Sequence, residues 1–580
     1  MLVQPAGAGN ESNPVRQHRF SIFDIFAFAV IFALFALFTH GTQETLVPIA
    51  QLQQTPISLD PAMLPEYALR TTLRMLAAIV ASLVFTFIYG AIAAKSRRAE
   101  MVLIPILDIL QSVPVLGFLS FTVVFFMGLF PGQVLGVELA AVFAIFTSQA
   151  WNMTFSFYQS MKTLPRDLEE VCDGFGLTGW QRFWRLEVPF SMPGLVWNTM
   201  MSMSGGWFFV VASEAISVGN TTITLPGIGA YVATAIADQN IAAVAYAVLA
   251  MLVIILLYDQ VLFRPLVAWA EKFRFEQSAG GPPPRSWVLD LVKRAHYFRI
   301  VLSPLGSLAR ALGRMPLRAP VRVPHEVHKA WGSRTMDRIW AGLVIAAALY
   351  SLWVIVAFVA TEVAGGEVVH VLYLGFLTLL RVAVLIFLAS LVWVPVGVWI
   401  GLNPKVATAV QPLAQFLAAF PANIVFPFAV VGIVALGLDP NIWLSPLMIL
   451  GTQWYILFNV IAGASAFPSD MREAASAFHI RGWHWWTKVI LPGVFPYYVT
   501  GALTASGGSW NASIVAEVAS WGNTTLRAEG LGAYIADATT AADFPRITLG
   551  IAIMSLYVIA FNRVLWRPLF TFAARRLRLD

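Results

Sequence analysis

Long apolar runs, each near the length of a bilayer crossing, alternate along the chain with short polar loops. A hydrocarbon core about 30 Å thick takes about 20 helical residues at a rise of about 1.5 Å each. By that measure the sequence predicts an all-α polytopic membrane protein with about six spans in each half. The first six cover 21–39, 68–94, 101–130, 138–160, 191–217 and 241–270. The second six cover 337–362, 371–402, 406–437, 441–465, 494–520 and 546–573.

Loop charges orient these spans. The loops 93–100 ("AAKSRRAE"), 161–190 and 271–338 and the final "RRLRLD" are rich in Lys and Arg, whereas 40–66 carries Glu44, Asp60 and Glu66 and no basic residue. Basic loops stay on the cytoplasmic side, so both termini are expected there. The run Ile22–Phe38 is long for a signal-peptide core and no small-residue cleavage site follows it, so it is expected to be retained as a span.

Composition agrees. The chain has 580 residues, 58% of them hydrophobic and 12% charged, with mean hydropathy +0.73. Soluble domains hold about 45–50% apolar and about 25% charged residues, so a water-facing globule is excluded. The net charge of +6 lies in short loops rather than on one face, which argues against a nucleic-acid partner. The single Cys172 excludes an intramolecular disulfide framework. No catalytic residue and no metal site is expected.

The chain also repeats itself. At an offset of 303 residues, Glu170 pairs with Glu473, Pro189 with Pro492, Trp207 with Trp510 and Glu214 with Glu517. "VGNTTITLPGIGAYV" (218–232) then meets "WGNTTLRAEGLGAYI" (521–535). At an offset of 307, Arg74 pairs with Arg381, Gly90 with Gly397, Pro105 with Pro412 and Pro114 with Pro421. The halves are 1–270 (core 65–270) and 337–580 (core 370–575), joined by a basic linker over 271–336. Six spans is an even number, so both halves share one orientation and a central pathway between them is expected.

Two polar islands recur inside the repeat: "LEEVCDGFGLTGWQRFWRLEVPF" (168–190) and "MREAASAFHIRGWHWWTKVILPG" (471–493). Glu473-Ala474-Ala475 favours a helix, and Ser469 and Asp470 offer a cap before it. Pro492 disfavours a helical Leu491 and suits the first turn of the next helix. A short helix, a turn and a fresh start of the next span are therefore expected. Trp483, Trp485 and Trp486 would either anchor a docked partner or rest at headgroup depth.

These loops resemble the EAA loop of membrane subunits of binding-protein-dependent ABC importers: Glu-Ala-Ala, three residues, Gly, nine residues, then aliphatic, any residue, aliphatic and Pro. The second copy has Glu473-Ala474-Ala475, Val489, Leu491 and Pro492, with His479 in place of Gly. The first has Glu170, Gly176, Leu186, Val188 and Pro189, with Val171 and Cys172 in place of the Ala pair. The Pro105/Pro114 and Pro412/Pro421 pairs, and Trp-x6-Glu in "GGWFFVVASEA" and in "GGSWNASIVAEVA", resemble the nitrate/sulfonate/taurine branch. Similarity covers roughly 65–270 and 370–575.

The resemblance implies two permease domains of the type I importer fold fused in one chain of a bacterial cytoplasmic membrane. It implies coupling helices seated in two ATP-binding cassette subunits, same or different, which would bind ATP and Mg; this chain would bind no cofactor. It also implies an extracytoplasmic solute-binding protein and import of a small anionic solute. No G-x-x-x-x-G-K-[ST] phosphate loop occurs in the sequence. An ion-driven carrier with parallel repeats would be expected to carry midplane acidic relays, and a non-transport scaffold would dock partners without turnover.

Candidate pathway or outer-gate residues are Ser204, Trp207 and Glu214, with Ser509, Trp510 and Glu517. Ionisable groups at membrane depth face a cavity or a partner, and a structural ion pair or a carboxylate–backbone cap is the plainer reading of both glutamates. Arg74 and Arg381 are candidate substrate charges, against snorkelling to an interface. The "PGIGAY" and "EGLGAY" stretches predict tight outer turns followed by a helix. In the linker, Trp287, Leu291, Ala295, Phe298 and Leu302 recur at helical spacing among basic residues, which predicts an amphipathic helix on the inner membrane surface.

Overall fold

A computed structural model describes residues 56–112, 115–218, 221–273, 286–316, 331–465, 467 and 469–576. The predicted span at 21–39 and Pro114 lie outside them. Among the described residues, seven helices are long and apolar enough to cross a membrane, or nine if two bent pairs each count once. The predicted span 101–130 is two helices, Arg97–Ser112 and Val115–Leu129. The predicted span 191–217 is the helix Val188–Ser213, whose Asn198, Thr199, Ser202, Gly205 and Gly206 dilute its hydropathy.

Both halves follow one order. A long helix (Leu64–Lys95; Gly365–Gly401) leads to a broken second span. In the second half that break falls at Pro421, where Leu413–Ala419 and Ala422–Ala435 meet at 78°. A third span follows, Val134–Lys162 in the first half and the bent pair Pro440–Leu450 with Trp454–Ser465 in the second. The polar loop comes next, then a 26-residue helix (Val188–Ser213; Leu491–Ala516). A β-hairpin, a ten-residue helix (Ile228–Ala237; Leu531–Thr540) and the last long helix complete each half.

Among the described residues, the hairpins are the one departure from all-helix. Ala215–Val218 pairs antiparallel with Thr221–Thr224, and Val518–Trp521 with Thr524–Arg527. Each hairpin and each polar loop sit at opposite ends of a helix about 39 Å long (26 residues at about 1.5 Å).

The paired glycines of the repeat have a packing reason. A Cβ on Gly90 would lie 2.8 Å from Phe157 Cδ1, and one on Gly397 would lie 2.7 Å from Val460 Cγ1. Small residues let the first and third spans of each half approach closely, a common device in membrane helix packing.

The halves interlock by exchange. Val115, Leu116, Leu119 and Val123 of the first half belong to the same apolar core as Val494, Trp510 and Ile553 of the second. In return Ile424 is buried in the first-half core, with Phe416 and Phe420 packed against it. Polar contacts cross at matching places: Val115 N–H donates to Asn511 Oδ1 at 2.7 Å, and Asn423 Nδ2 donates to the Phe208 carbonyl at 3.3 Å. The hairpin of the second half reaches the first as well, Gly522 N–H donating to the Ile236 carbonyl at 2.9 Å.

Candidate functional site

The polar loops share one build. Residues Arg166–Gly174 and Ser469–Ala477 are short helices, each ending on a residue in the left-handed region: Gly176 at φ +61° and His479 at φ +53°. Leu177 N–H reaches back to the Cys172 carbonyl at 3.1 Å, and Ile480 N–H to the Ala475 carbonyl at 2.9 Å, closing the same C-terminal cap. That cap explains why glycine is wanted there: it takes this conformation without Cβ strain. His479 takes it at a cost.

Glu170, Glu473 and Ala474 are exposed, while Ala475 and its counterpart Cys172 are buried against the body of the protein. Burial pushes the Cys172 thiol up, and the carboxylates of Asp173, Glu187 and Glu169 add to this against the opposing Arg182. The thiol is therefore a packing group and a poor nucleophile. Beside the acidic residues stand Phe175 and Phe478, 79% and 80% exposed. Neither was singled out from the sequence, yet the 303-residue offset pairs them.

The expected break before Pro189 and Pro492 is absent. Leu491 is helical (φ −56°, ψ −46°), as is Val188 (φ −65°, ψ −51°), and the loop runs straight into the long helix. A π-helical turn makes this possible: Phe183–Glu187 in the first half and Trp486–Ile490 in the second. Proline lacks the N–H and clashes with the carbonyl four residues back, and a widened turn relieves that clash. The last spans use the same device, with π turns at Asp259–Phe263 before Pro265 and Asn562–Trp566 before Pro568.

The loops differ in their roots. In the first, buried Glu187 pairs with Lys95 at 2.7 Å and lies 3.6 Å from Arg182, which also meets Glu169 at 2.5 Å. In the second, Ile490, Leu402 and Trp485 occupy the positions equivalent to Glu187, Lys95 and Arg182, and all three join the apolar core.

At the far end, the structure brings Arg74 and Glu214 together, and Arg381 and Glu517. Arg74 Nη1 donates to Glu214 Oε1 at 2.7 Å and to the Pro226 carbonyl at 3.0 Å. Its Nε and Nη2 clasp Glu138, each at 2.7 Å. The Thr71 hydroxyl donates to Glu214 Oε1 at 2.7 Å and accepts from Ile228 N–H at 3.0 Å. Glu214 Oε2 accepts from Gly229 N–H at 2.6 Å. The carboxylate thus caps the helix Ile228–Ala237 from outside, where its positive end favours an anion.

The second half repeats the arrangement with one change. Thr378 and Arg381 Nη1 donate to Glu517 Oε1 at 2.9 and 3.2 Å, and Ala533 N–H donates to Glu517 Oε2 at 3.0 Å. Arg381 also donates to the Glu529 carbonyl at 2.7 Å. Where the first half has Glu138, the second has Asn441, 3.4 Å from Arg381 Nη2. Both arginines are held by acceptors of the protein itself. A Cβ on Gly227 or Gly530 would lie 2.3 Å from the facing carboxylate, so the chain must pass there without a side chain. Thr71, Glu138 and their counterparts went unnoticed in the sequence, although the repeat offsets pair them, whereas Gly227 and Gly530 fall in the "PGIGAY" and "EGLGAY" stretches read as tight turns.

Trp207 and Trp510 are buried. Trp207 packs edge-on against Tyr258 and borders a cavity between the halves, shared with Met200, Gln260, Phe416 and Tyr455. Trp510 stacks on Tyr557 inside the second-half core. Ser509 is buried and bonded to Thr452 and Ala505. The side chain of Ser204 lies outside the described residues.

The sequence is similar to known proteins. The sequence profile of the family described as "Binding-protein-dependent transport system inner membrane component" matches twice, at residues 86–263 and 393–567, together more than half of the chain. The bicarbonate transport system permease protein CmpB of Synechococcus elongatus is 32% identical over 162 residues, 28% of this chain and 55% of CmpB. The nitrate import permease protein NrtB of Leptolyngbya laminosa is 26% identical over 185 residues, 32% of this chain and 63% of NrtB. The glycine betaine/carnitine transport permease protein GbuB of Listeria monocytogenes is 30% identical over 135 residues, 22% of this chain and 44% of GbuB. The chain spans about half the length of the curated relatives it matches first.

Proposed function

Because the chain belongs to the family of inner membrane components of binding-protein-dependent transport systems, we propose that it is the two-domain permease of an ATP-driven importer. The pathway lies between its interlocked halves. The polar loops face the cytoplasm as coupling elements, with both chain termini on that side. The observation that carries this reading is the twofold occurrence of one loop build: an exposed Glu170 or Glu473, an exposed Phe175 or Phe478, and a buried Cys172 or Ala475 beneath. Exposed phenylalanines beside a carboxylate suit a groove on a soluble partner, since aromatic anchors dominate interface energetics.

The partners would be two ATP-binding subunits, which hold the nucleotide and Mg, and a solute-binding protein on the opposite side. A continuous helix from each loop to each hairpin lets a push at one end arrive at the other. A small anion is the proposed cargo, in keeping with relatives named for bicarbonate and nitrate. Arg74 and Arg381 hold the outer hairpins through Glu214 and Glu517 rather than meeting the cargo.

The test is reconstitution with the ATP-binding subunit encoded nearest to this gene. Solute-dependent ATP hydrolysis and uptake are expected, and a Glu170→Arg/Glu473→Arg variant should fold, insert and lose both. Normal uptake by that double variant would overturn the coupling role.

A further inference from the structure

The linker is where the two halves of the cytoplasmic surface part company. The single amphipathic helix expected there is two helices, Trp287–Arg294 and His296–Arg314, split at Ala295, which is extended (ψ 94°) and buried. The first packs on Arg264–Ala270, the end of the last span of the first half. The second runs to the first polar loop and ends against it. Trp180 Nε1 donates to the Leu312 carbonyl at 2.8 Å, Gln181 Nε2 donates to the Arg314 carbonyl at 2.8 Å, and Gly313 lies against Trp184. The Gln181 bond reaches a carbonyl of the last turn, where a helix C-terminus leaves such groups open, and the Trp180 bond adds to the one that the Leu312 carbonyl accepts from Met315 N–H at 3.3 Å.

The second polar loop carries no such strap among the described residues. Trp483, at the position of Trp180, is 76% exposed. His484 and Thr487 replace Gln181 and Trp184.

The strap helix leaves one apolar face uncovered. Ile300, Leu308, Leu312 and Met315 are all exposed, and Pro304 between them is exposed too. Spacings of four, four, four and three residues place them on one stripe. Residues 286–316 contain five basic residues (Lys293, Arg294, Arg299, Arg310 and Arg314) against one acidic residue, Asp290. An apolar stripe beside basic side chains is the build of a helix lying in a lipid interface, and the excess of positive charge selects anionic headgroups. Packing of Trp287–Arg294 on the end of the membrane-crossing helix Ile241–Ala270 brings the strap to the bilayer edge.

We propose that His296–Arg314 is a lipid-seated strap: its stripe, Arg310 and Arg314 rest on anionic headgroups, and its last turn ties that surface to the first polar loop alone. The two loops therefore respond differently to membrane charge. Each basic residue at such a surface contributes about a fivefold preference for anionic over neutral lipid.

The experiment uses the full chain with Cys172→Ala, which mimics the buried Ala475, in nanodiscs of phosphatidylcholine alone or with one-third phosphatidylglycerol. An environment-sensitive fluorophore on Leu308→Cys should be quenched by brominated lipid in the anionic discs. That quenching should fall severalfold in neutral discs and in an Arg310→Gln/Arg314→Gln variant. A second probe reads the loops: label mobility at Phe175→Cys should drop with phosphatidylglycerol, while that at Phe478→Cys stays put. Equal water access of the Leu308 probe in both discs would overturn the proposal. So would protection that arises only when a soluble partner is added, which would assign the stripe to protein. Because the same protein is compared in two lipids, misfolding cannot mimic the result, and none of these readouts depends on transport.

Discussion

Arg74 shows how much one side chain can hold. Its three nitrogens meet Glu138, Glu214 and the Pro226 carbonyl, with Arg74 and Glu214 buried and Glu138 half-buried. Removing one partner of a buried ion pair leaves an uncompensated charge and costs about 3–5 kcal/mol. Arg74→Ala should therefore lower the thermal unfolding midpoint in detergent by several degrees. Glu214→Gln, which keeps the shape and part of the hydrogen bonding, should cost less, about 1–3 kcal/mol. If both left the midpoint unchanged, the pair would not be fastening the hairpin end. His479 is a residue whose change should help. Its left-handed backbone (φ +53°) costs about 1 kcal/mol or more for a side chain with a Cβ. His479→Gly should recover about that much, measured as higher protection of the loop helix in hydrogen exchange. The root of the first loop gives a third case. Lys95→Leu alone leaves buried Glu187 with only Arg182, 3.6 Å away, as a cationic neighbour, and Lys95 is 28% exposed, so the cost should be nearer about 1–2 kcal/mol than the fully buried figure. Lys95→Leu with Glu187→Ile copies Leu402 and Ile490 of the second half, and a double-mutant cycle should show the second change cancelling most of the first.

Between loop and span the decisive element is the π turn, and it was hidden in the sequence for a physical reason. Proline after an aliphatic residue signals a break, and local preference offers no hint that a widened turn will carry the helix through. Four prolines at the same place relative to a π turn (Pro189, Pro265, Pro492 and Pro568) show the device as a rule of this chain. The extra residue in each turn also sets the rotation of everything before it. Deleting Thr487 together with Pro492→Ala should yield an ordinary α-helix and turn the second loop by about 100° relative to the span. The protein should still insert and melt within a few degrees of the parent, while partner-stimulated turnover disappears. Retained turnover would mean that the loop's facing is irrelevant. What was legible beforehand rests on period and repetition: long apolar runs marked seven crossing helices and two bent pairs among the described residues, and the 303-residue offset paired Glu214 with Glu517 and Trp207 with Trp510. What was not legible depends on distant partners. Nothing near Arg74 announces Glu138, 64 positions away, and nothing near Trp180 announces Leu312.

Taken whole, the molecule is two copies that each lend a broken span to the other. Sequence repetition implied two like halves side by side, but not that Leu116, Leu119 and Val123 would be core residues of the far half. Hydrophobic pattern records that a residue is buried, never in which copy. The exchange has an energetic consequence. Burying a leucine or valine side chain contributes about 1.5–3 kcal/mol in water, but a lipid-facing leucine loses little, so packing and the Val115–Asn511 hydrogen bond must supply the specificity. Each half alone should therefore insert yet remain loosely packed. Expressed separately, residues 1–320 and 321–580, a cut that leaves the helix His296–Arg314 whole, should each melt broadly and well below the intact chain. Co-expressed, they should purify together and regain a single sharp transition, and Asn511→Leu should weaken that recovery while leaving the separate halves as they were. A sharp, full-height transition in either half on its own would show that the exchanged spans are accessories, and that the two copies touch without needing each other.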